Sequence, residues 1–249
     1  MSYNPFSLSG KTILVTGASS GIGQATAIEC SKMGAKLVIT GRNAERLQET
    51  MNQLEGEGHR QIAADLAAED SLSVLTAALP PLDGVVNNAG VPGGGLIPFF
   101  KPEVFDQIFK VNLLAPIQLI HRLVKARKIN KGGAVVFTSS IGKSVVSVGS
   151  TLYAATKGGV SSFMKGAALE LAAKKIRCNA VLPGMVATPL MTGLGGITKE
   201  QWDENMNLYP LKRFGTPEDV ARAIVFYLSD ASSWITGSEL VVDGGRSLR

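Results

Sequence analysis

Thr12-Ile13-Leu14-Val15-Thr16-Gly17-Ala18-Ser19-Ser20-Gly21-Ile22-Gly23 is where the fold announces itself. The β-branched run Thr12 to Thr16 reads as a buried strand. It stops at Gly17, and the small-residue turn through Gly23 passes into a helical pattern from Gln24 to Met33. Strand, glycine-rich turn, helix is an arrangement that cradles phosphate. Glycine lets the backbone come close, and the helix N-terminus offers aligned N–H groups with partial positive charge. The spacing Gly-x-x-x-Gly-x-Gly departs from the commoner Gly-x-Gly-x-x-Gly. It also lacks the lysine of a P-loop, which disfavours ATP. Without a ligand, the same turn would serve only to join strand and helix tightly.

Working outward, the pattern repeats. Strands are expected at 35–40, 61–65, 82–87, 134–140, 176–182 and 239–242. Helices are expected at 44–54, 71–79, 152–173 and 217–228, the last behind a Thr216 cap. A further helical pattern over 103–128 carries an interruption near Asn112 to Pro116. Strands and helices alternate without a repeat or a linker. That predicts an α/β chain with a single doubly wound parallel sheet of Rossmann type, helices on both faces, and one domain over 1–249. Two loops read as loose. One holds Gly93, Gly94 and Gly95; the other, at about 188–210, reads as a flexible substrate loop.

Composition narrows the function. At 249 residues, 45% hydrophobic and 18% charged, the chain reads as a soluble globular protein with room for a large core. A net charge of +5 attracts anionic ligands mildly, while 6% aromatics and the absence of a basic run argue against nucleic acid. Met1 to Gly10 has no signal-peptide pattern, and no apolar run reaches membrane-spanning length. Cys30 and Cys178 read as free thiols in a reducing cytoplasm. His59 and His121 are isolated, so no metal site is expected.

Three features carry chemistry. Tyr153 and Lys157 stand four apart in a helical stretch and share a face. A free phenol titrates near ~10, and a nearby cation pulls that value down toward the range of useful proton transfer. Ser140 closes the expected fifth strand, and C-terminal strand ends of a parallel sheet face the ligand crevice. At the end of the second strand stands Arg42, where an acid would bind ribose hydroxyls. Arginine there suits a 2′-phosphate.

Taken together, Thr16-Gly17-x-x-x-Gly21-x-Gly23, Asn87-Asn88-Ala89-Gly90, Asn112, Ser140, Tyr153-x-x-x-Lys157 and Pro183-Gly184 resemble the short-chain dehydrogenase/reductase family over nearly the whole chain. Ser140 lies thirteen residues before Tyr153, as is usual in that family. The resemblance implies hydride transfer between an alcohol or carbonyl and NAD(H) or NADP(H). It gives Tyr153 the proton at the substrate oxygen and Ser140 the orientation of that oxygen. Lys157 would lower the phenol's pKa and hold the nicotinamide ribose, and Asn112 would position a relay water. For the cofactor it implies Gly17, Ser19, Ser20, Gly21, Ile22 and Gly23 at the pyrophosphate turn. Asp65 and Leu66 would lie at the adenine, Asn88 at the adenosine-side ribose, and Val186 and Thr188 at the carboxamide. Members that prefer NADP often carry a basic residue where this chain has Ser20.

The tail from Pro210 to Val220 is similar to 3-oxoacyl-acyl-carrier-protein reductases and equally to sugar, polyol and steroid enzymes. A small-molecule carbonyl or alcohol is the expected substrate, with NADP(H) favoured. Lys131 and Lys174 offer basic contacts for an acidic carrier, although a solvated surface explains them too. The expected pocket loops are mostly apolar, with Lys143 as the one charged anchor, which hints at a neutral substrate. A non-catalytic dinucleotide sensor on the same fold is the competing class. Surplus apolar and small residues on 113–127 and 152–173 suggest faces buried against other copies, as in the family's homotetramers.

Overall fold

β1 (Thr12–Thr16) pairs in parallel with β2 (Lys36–Gly41) on one side and β4 (Leu82–Asn87) on the other. The chain therefore winds outward in two directions from this first strand. A computed structural model describes residues 3–192 and 198–248. Among these, β3 (Arg60–Ala63), β5 (Ile129–Thr138), β6 (Arg177–Pro183) and β7 (Glu239–Val242) complete one sheet in the order β3-β2-β1-β4-β5-β6-β7. Every pairing is parallel. A reversal of strand order between β1 and β4 opens a crevice at their C-terminal ends.

Helices cover both faces. α1 (Gly21–Lys32), α2 (Ala44–Met51) and α9 (Pro217–Leu228) pack on one side through Ala27, Cys30, Leu47, Ile224 and Tyr227 against Ile13, Val15, Leu37 and Ile39. On the other side α3 (Glu69–Ala78), α5 (Ala115–Lys125) and α6 (Thr151–Leu171) bury Leu72, Leu75, Leu119, Leu123, Val160 and Met164 against Leu14, Val85, Val135 and Phe137. Central parallel strands are covered twice, so they read as continuous apolar runs. α4 (Pro102–Phe109), α7 (Pro189–Thr192) and α8 (Lys199–Asn207) lie at the periphery.

Two expectations change, and a third segment gains detail. The interruption near Asn112 is a π turn, Lys110–Leu114, that joins α4 to α5 without breaking the rod. Pro116 follows directly on that π turn, at the second position of α5. The triple-glycine loop is stitched down: the Gly95 N–H donates to the Gly149 carbonyl at 2.8 Å, and a Cβ on Gly94 would meet that oxygen at 1.9 Å. The segment read as a flexible substrate loop holds α7 and α8, the latter with a Thr198–Gln201 capping box. Its residues 193–197 lie outside the described residues.

Candidate active site

Strand ends of the sheet open on one cleft of about 970 Å³. Its lining runs from Arg42 after β2, across the ends of β1, β4, β5 and β6, to Arg246 after β7.

Gly17 and Gly21 take φ of +66° and +56°, the left-handed region that glycine alone enters freely. A Cβ on Gly17 would come within 2.8 Å of Ala89 Cα. The turn is locked to β4's end by Asn88, whose backbone N–H reaches Thr16 Oγ1 at 3.0 Å and whose Nδ2 reaches the Thr16 carbonyl at 3.1 Å. Gly23 does not face the cleft. Its missing side chain lets α1 seat against the turn, since a Cβ would stand 2.2 Å from the Gly17 carbonyl oxygen. Ser20 caps α1 by position only, without a side-chain bond, and no acid occupies the first turn. Ser19, Ser20, Gly21 and Ile22 line the cleft there. Uncapped N–H groups beside a glycine cradle fit a pyrophosphate.

The second half of the site rests on β5 and α6. Ser140 follows β5, and its Oγ accepts the Gly142 N–H at 2.9 Å. Tyr153 and Lys157 lie on the cleft wall in the first two turns of α6. Burial pushes the Tyr153 phenol above its ordinary value, and a hydrogen bond with Ser140 acts against that rise. This reverses the expected depression. The Lys157 ammonium sits 5.6 Å from the centre of the Tyr153 ring and donates to the Thr138 carbonyl at 2.8 Å. Buried itself, it is pulled down to about 8. At neutral pH the phenol therefore holds its proton. Asn112 is buried behind the cleft, where Oδ1 accepts the Val91 N–H at 2.8 Å and Nδ2 donates to the Val91 carbonyl at 3.0 Å. The structure shows it as a clamp on the loop after β4. Thr138 Oγ1, buried in the same wall, makes no hydrogen bond within the chain, and an arriving polar ligand fits it.

Asp65, Leu66, Asn88, Val186 and Thr188 all line the cleft. So do Asn43 and Arg46, which sequence analysis passed over. The signal was present: Arg46 follows Arg42 by four residues, in the first turn of α2. Asn205, Tyr209 and Arg246 also reach the wall from the chain after β6, and nothing local marks them. Lys143 does not line it; its ammonium grips both oxygens of Glu239 at 2.7 and 2.8 Å. Among the described residues, no three His, Cys, Asp or Glu gather to hold a metal, and no helix is long and apolar enough to cross a membrane.

A phosphate cradle at the switch point, beside a tyrosine that keeps its proton, meets the needs of an oxidoreductase that draws on a dinucleotide. A family described as Enoyl-(Acyl carrier protein) reductase matches residues 17–247. A 3-oxoacyl-[acyl-carrier-protein] reductase of Rickettsia felis is 36% identical over 238 residues, covering 96% of this chain and 97% of that one. L-rhamnose 1-dehydrogenase (NAD(P)(+)) of a Sphingomonas species is also 36% identical, covering 96% of each. A crystal structure from Agrobacterium tumefaciens, provisionally described as a 2-deoxy-d-gluconate 3-dehydrogenase with bound NADP, superposes with a TM-score of 0.88 at 32% identity, over 99% of this chain and all of that one. The chain belongs to the short-chain dehydrogenase/reductase family, oxidoreductases acting on CH–OH groups.

Proposed function

We propose that the protein interconverts a small carbonyl compound and its secondary alcohol with NADP(H). The observation that carries this is the placement of Ser140, Tyr153 and Lys157 together on the wall of the cleft that the glycine cradle opens into. NADPH, when bound, supplies the hydride. The chain does the rest: Ser140 orients the substrate oxygen, and Tyr153 gives it a proton. Lys157 places a positive charge behind the phenol and is available to ribose hydroxyls. Gly17, Ser19, Ser20, Gly21 and Ile22 would hold the pyrophosphate, Asp65 and Leu66 the adenine, Asn88 its ribose, and Val186 and Thr188 the carboxamide.

NADP(H) is favoured because Arg42 and Arg46 line the adenosine end together. A charge-assisted hydrogen bond is worth ~1.5–3 kcal/mol, or roughly 10- to 100-fold in preference. kcat/KM for NADPH should exceed that for NADH by about this factor, and Arg42→Ala should remove most of the excess. Equal values for the two cofactors in the unaltered enzyme would overturn the preference. The NADP bound to the Agrobacterium relative supports it.

The carrier-protein reductase relatives support a 3-oxoacyl thioester as substrate; the rhamnose and gluconate enzymes support a sugar or polyol instead. Two unpaired, buried cysteines suit a cytoplasmic setting. The deciding experiment is loss of NADPH absorbance across thioesters, sugars, steroids and small ketones. No turnover with any of them, despite tight NADPH binding, would mark a sensor.

A further inference from the structure

Gly142 lies in the short 3₁₀ turn Ile141–Lys143 that follows Ser140, and it lines the cleft half-buried. Its φ is outside the left-handed region, so the backbone does not require a glycine there. Its N–H bond to Ser140 Oγ does not require one either, because any residue except proline supplies that donor. What the glycine supplies is room. A Cβ would stand 3.1 Å from Ser140 Oγ, and 3.6 and 3.8 Å from Cε1 and Cδ1 of the Tyr153 ring. The three atoms nearest that point thus belong to the two side chains that would meet the substrate oxygen.

The wall beyond that space is apolar. Ile141 is buried in the core, and Val145 and the largely exposed Val148 carry the lining onward. Lys143, the one charged side chain between 141 and 150, is drawn off to Glu239. Ser150 turns its hydroxyl back onto the Ser147 carbonyl at 2.7 Å. The loop after β4 adds Val91 and Pro92 to the same lining, and the bond from the Gly95 N–H to the Gly149 carbonyl holds the two loops together. A group leaving the Ser140–Tyr153 corner along these loops meets hydrocarbon and no charge.

We infer that Gly142 sets substrate size: the volume a side chain would fill beside Ser140 and Tyr153 takes a branched or cyclic hydrocarbon group on the carbonyl carbon. This rests on the carbonyl-reductase reading of the same cleft. A carbonyl whose oxygen reaches both Ser140 and Tyr153 holds its substituents within a bond or two of them, where position 142 stands. A bulky group there continues onto Val145 and Val148. The substrate class is therefore a ketone with a bulky apolar substituent. A polyol of the same size would press hydroxyls against carbon, and a hydroxyl buried without a partner costs binding.

Acetone, methyl isopropyl ketone and cyclohexyl methyl ketone test this with the full-length protein. NADPH oxidation reads kcat/KM, and saturation-transfer NMR on the NADP+ complex reads binding. The unaltered enzyme should favour the cyclohexyl ketone over acetone by roughly tenfold or more, at about fourfold per buried carbon. Gly142→Ala should cut that ratio about fourfold and Gly142→Val roughly 15- to 60-fold, the contacts of one carbon and of two or three. A new Cβ also crowds Ser140 and slows every substrate, so the ratio is the readout. A loss shared equally by all three ketones would reduce Gly142 to a spacer for Ser140 and overturn the inference. So would a preference for acetone, or binding by none of the three. Should Gly142→Val not fold, Gly142→Ala and Val148→Asp supply the ratio, and both should lower it. Ketones that bind in this order and lose it in the variants, yet are never reduced, would leave the inference standing and sink the carbonyl reading alone.

Discussion

Tyr153 and Lys157 show how far spacing carries and where it stops. Four residues apart on α6, they were legible as a pair, and α6 puts both on the cleft wall. What spacing did not carry was their burial, which lifts the phenol and lowers the ammonium. A phenol that keeps its proton is suited to donate it, so Tyr153→Phe should cut kcat by roughly 10²–10⁴-fold. Fluorescence titration should find NADPH affinity little changed; turnover within about threefold of the original would reduce Tyr153 to packing. Lys157 also weakens the fold. Its ammonium titrates at 10.5 when unfolded and near 8 when folded. Between those values the unfolded chain binds the proton more, so stability rises with pH across that window. Below it the full cost is present, about 3 kcal/mol at ~1.4 kcal/mol per unit. Lys157→Met removes that cost but strips the Thr138 carbonyl of its donor, which gives back about 1 kcal/mol. The inactive variant should melt above the parent near pH 7, and the gap should close as pH climbs past 10. Paired thermal melts across that range check both halves.

At the scale of elements, β7 does more than end the sheet. Glu239 opens it and holds Lys143, in the turn after Ser140, while Lys165 of α6 stands 3.6 Å from its other oxygen. Ser161 helps to lower the Glu239 carboxyl and meets Ser139 at 2.9 Å, and Ser139 donates to the Lys157 carbonyl at 3.0 Å. The strand thus braces both walls, the one that carries Ser140 and the one that carries Tyr153 and Lys157. Glu239→Gln should lower kcat about tenfold, the effect of ~1.4 kcal/mol at the transition state, with an unchanged NADPH Kd. Stopped-flow hydride transfer and cofactor titration separate the two. Burial raises the Glu239 carboxyl, but Lys143, Ser161 and Lys165 together leave it below its ordinary value. Its contribution is therefore present above the ordinary carboxylate range and lost as pH falls through the lower folded value, so the variant's acid-side melting slope should be flatter. This pairing joins residues 96 apart and has no local signature. Arg246 and Tyr209 escaped notice for the same reason: only the sheet order brings their turns beside β6. Local patterns fared better. β1, β4, β7 and α9 match their expected limits, because Gly17 ends β1, Pro81 precedes β4, Asp243 follows β7 and the Thr216 cap starts α9. β5 starts five residues earlier than expected, at Ile129, since Gly132 and Gly133 mark a shift in register within the strand and do not end it.

The whole molecule leaves several large apolar side chains exposed. Leu169 on α6 is 82% exposed, Leu114 and Phe105 are exposed nearby in sequence to α5 and α4, and Trp234 is 98% exposed. Gly158 and Gly166 of α6 have no atom within 4 Å of where a Cβ would stand. We propose a homotetramer, with a dimer as the alternative, in which a second copy covers these helices. Light scattering at micromolar concentration should give a multiple of the chain mass, and Leu169→Glu should shift it downward; monomer alone would refute the assembly. α5 must then serve the sheet with Leu119 and Leu123 and leave Leu114, at its threshold, outside. The π turn at Lys110–Leu114 sets that phase by holding one residue more than an α-helical turn. Remove any one of those five residues and the rod straightens, rotating all that follows by about 100°. Leu119 and Leu123 would swing off the sheet, and Asn112 would lose Val91. In this segment, the length of the chain is as tightly held as any catalytic side chain, and a one-residue deletion should do more harm than any substitution at Val111 or Leu113.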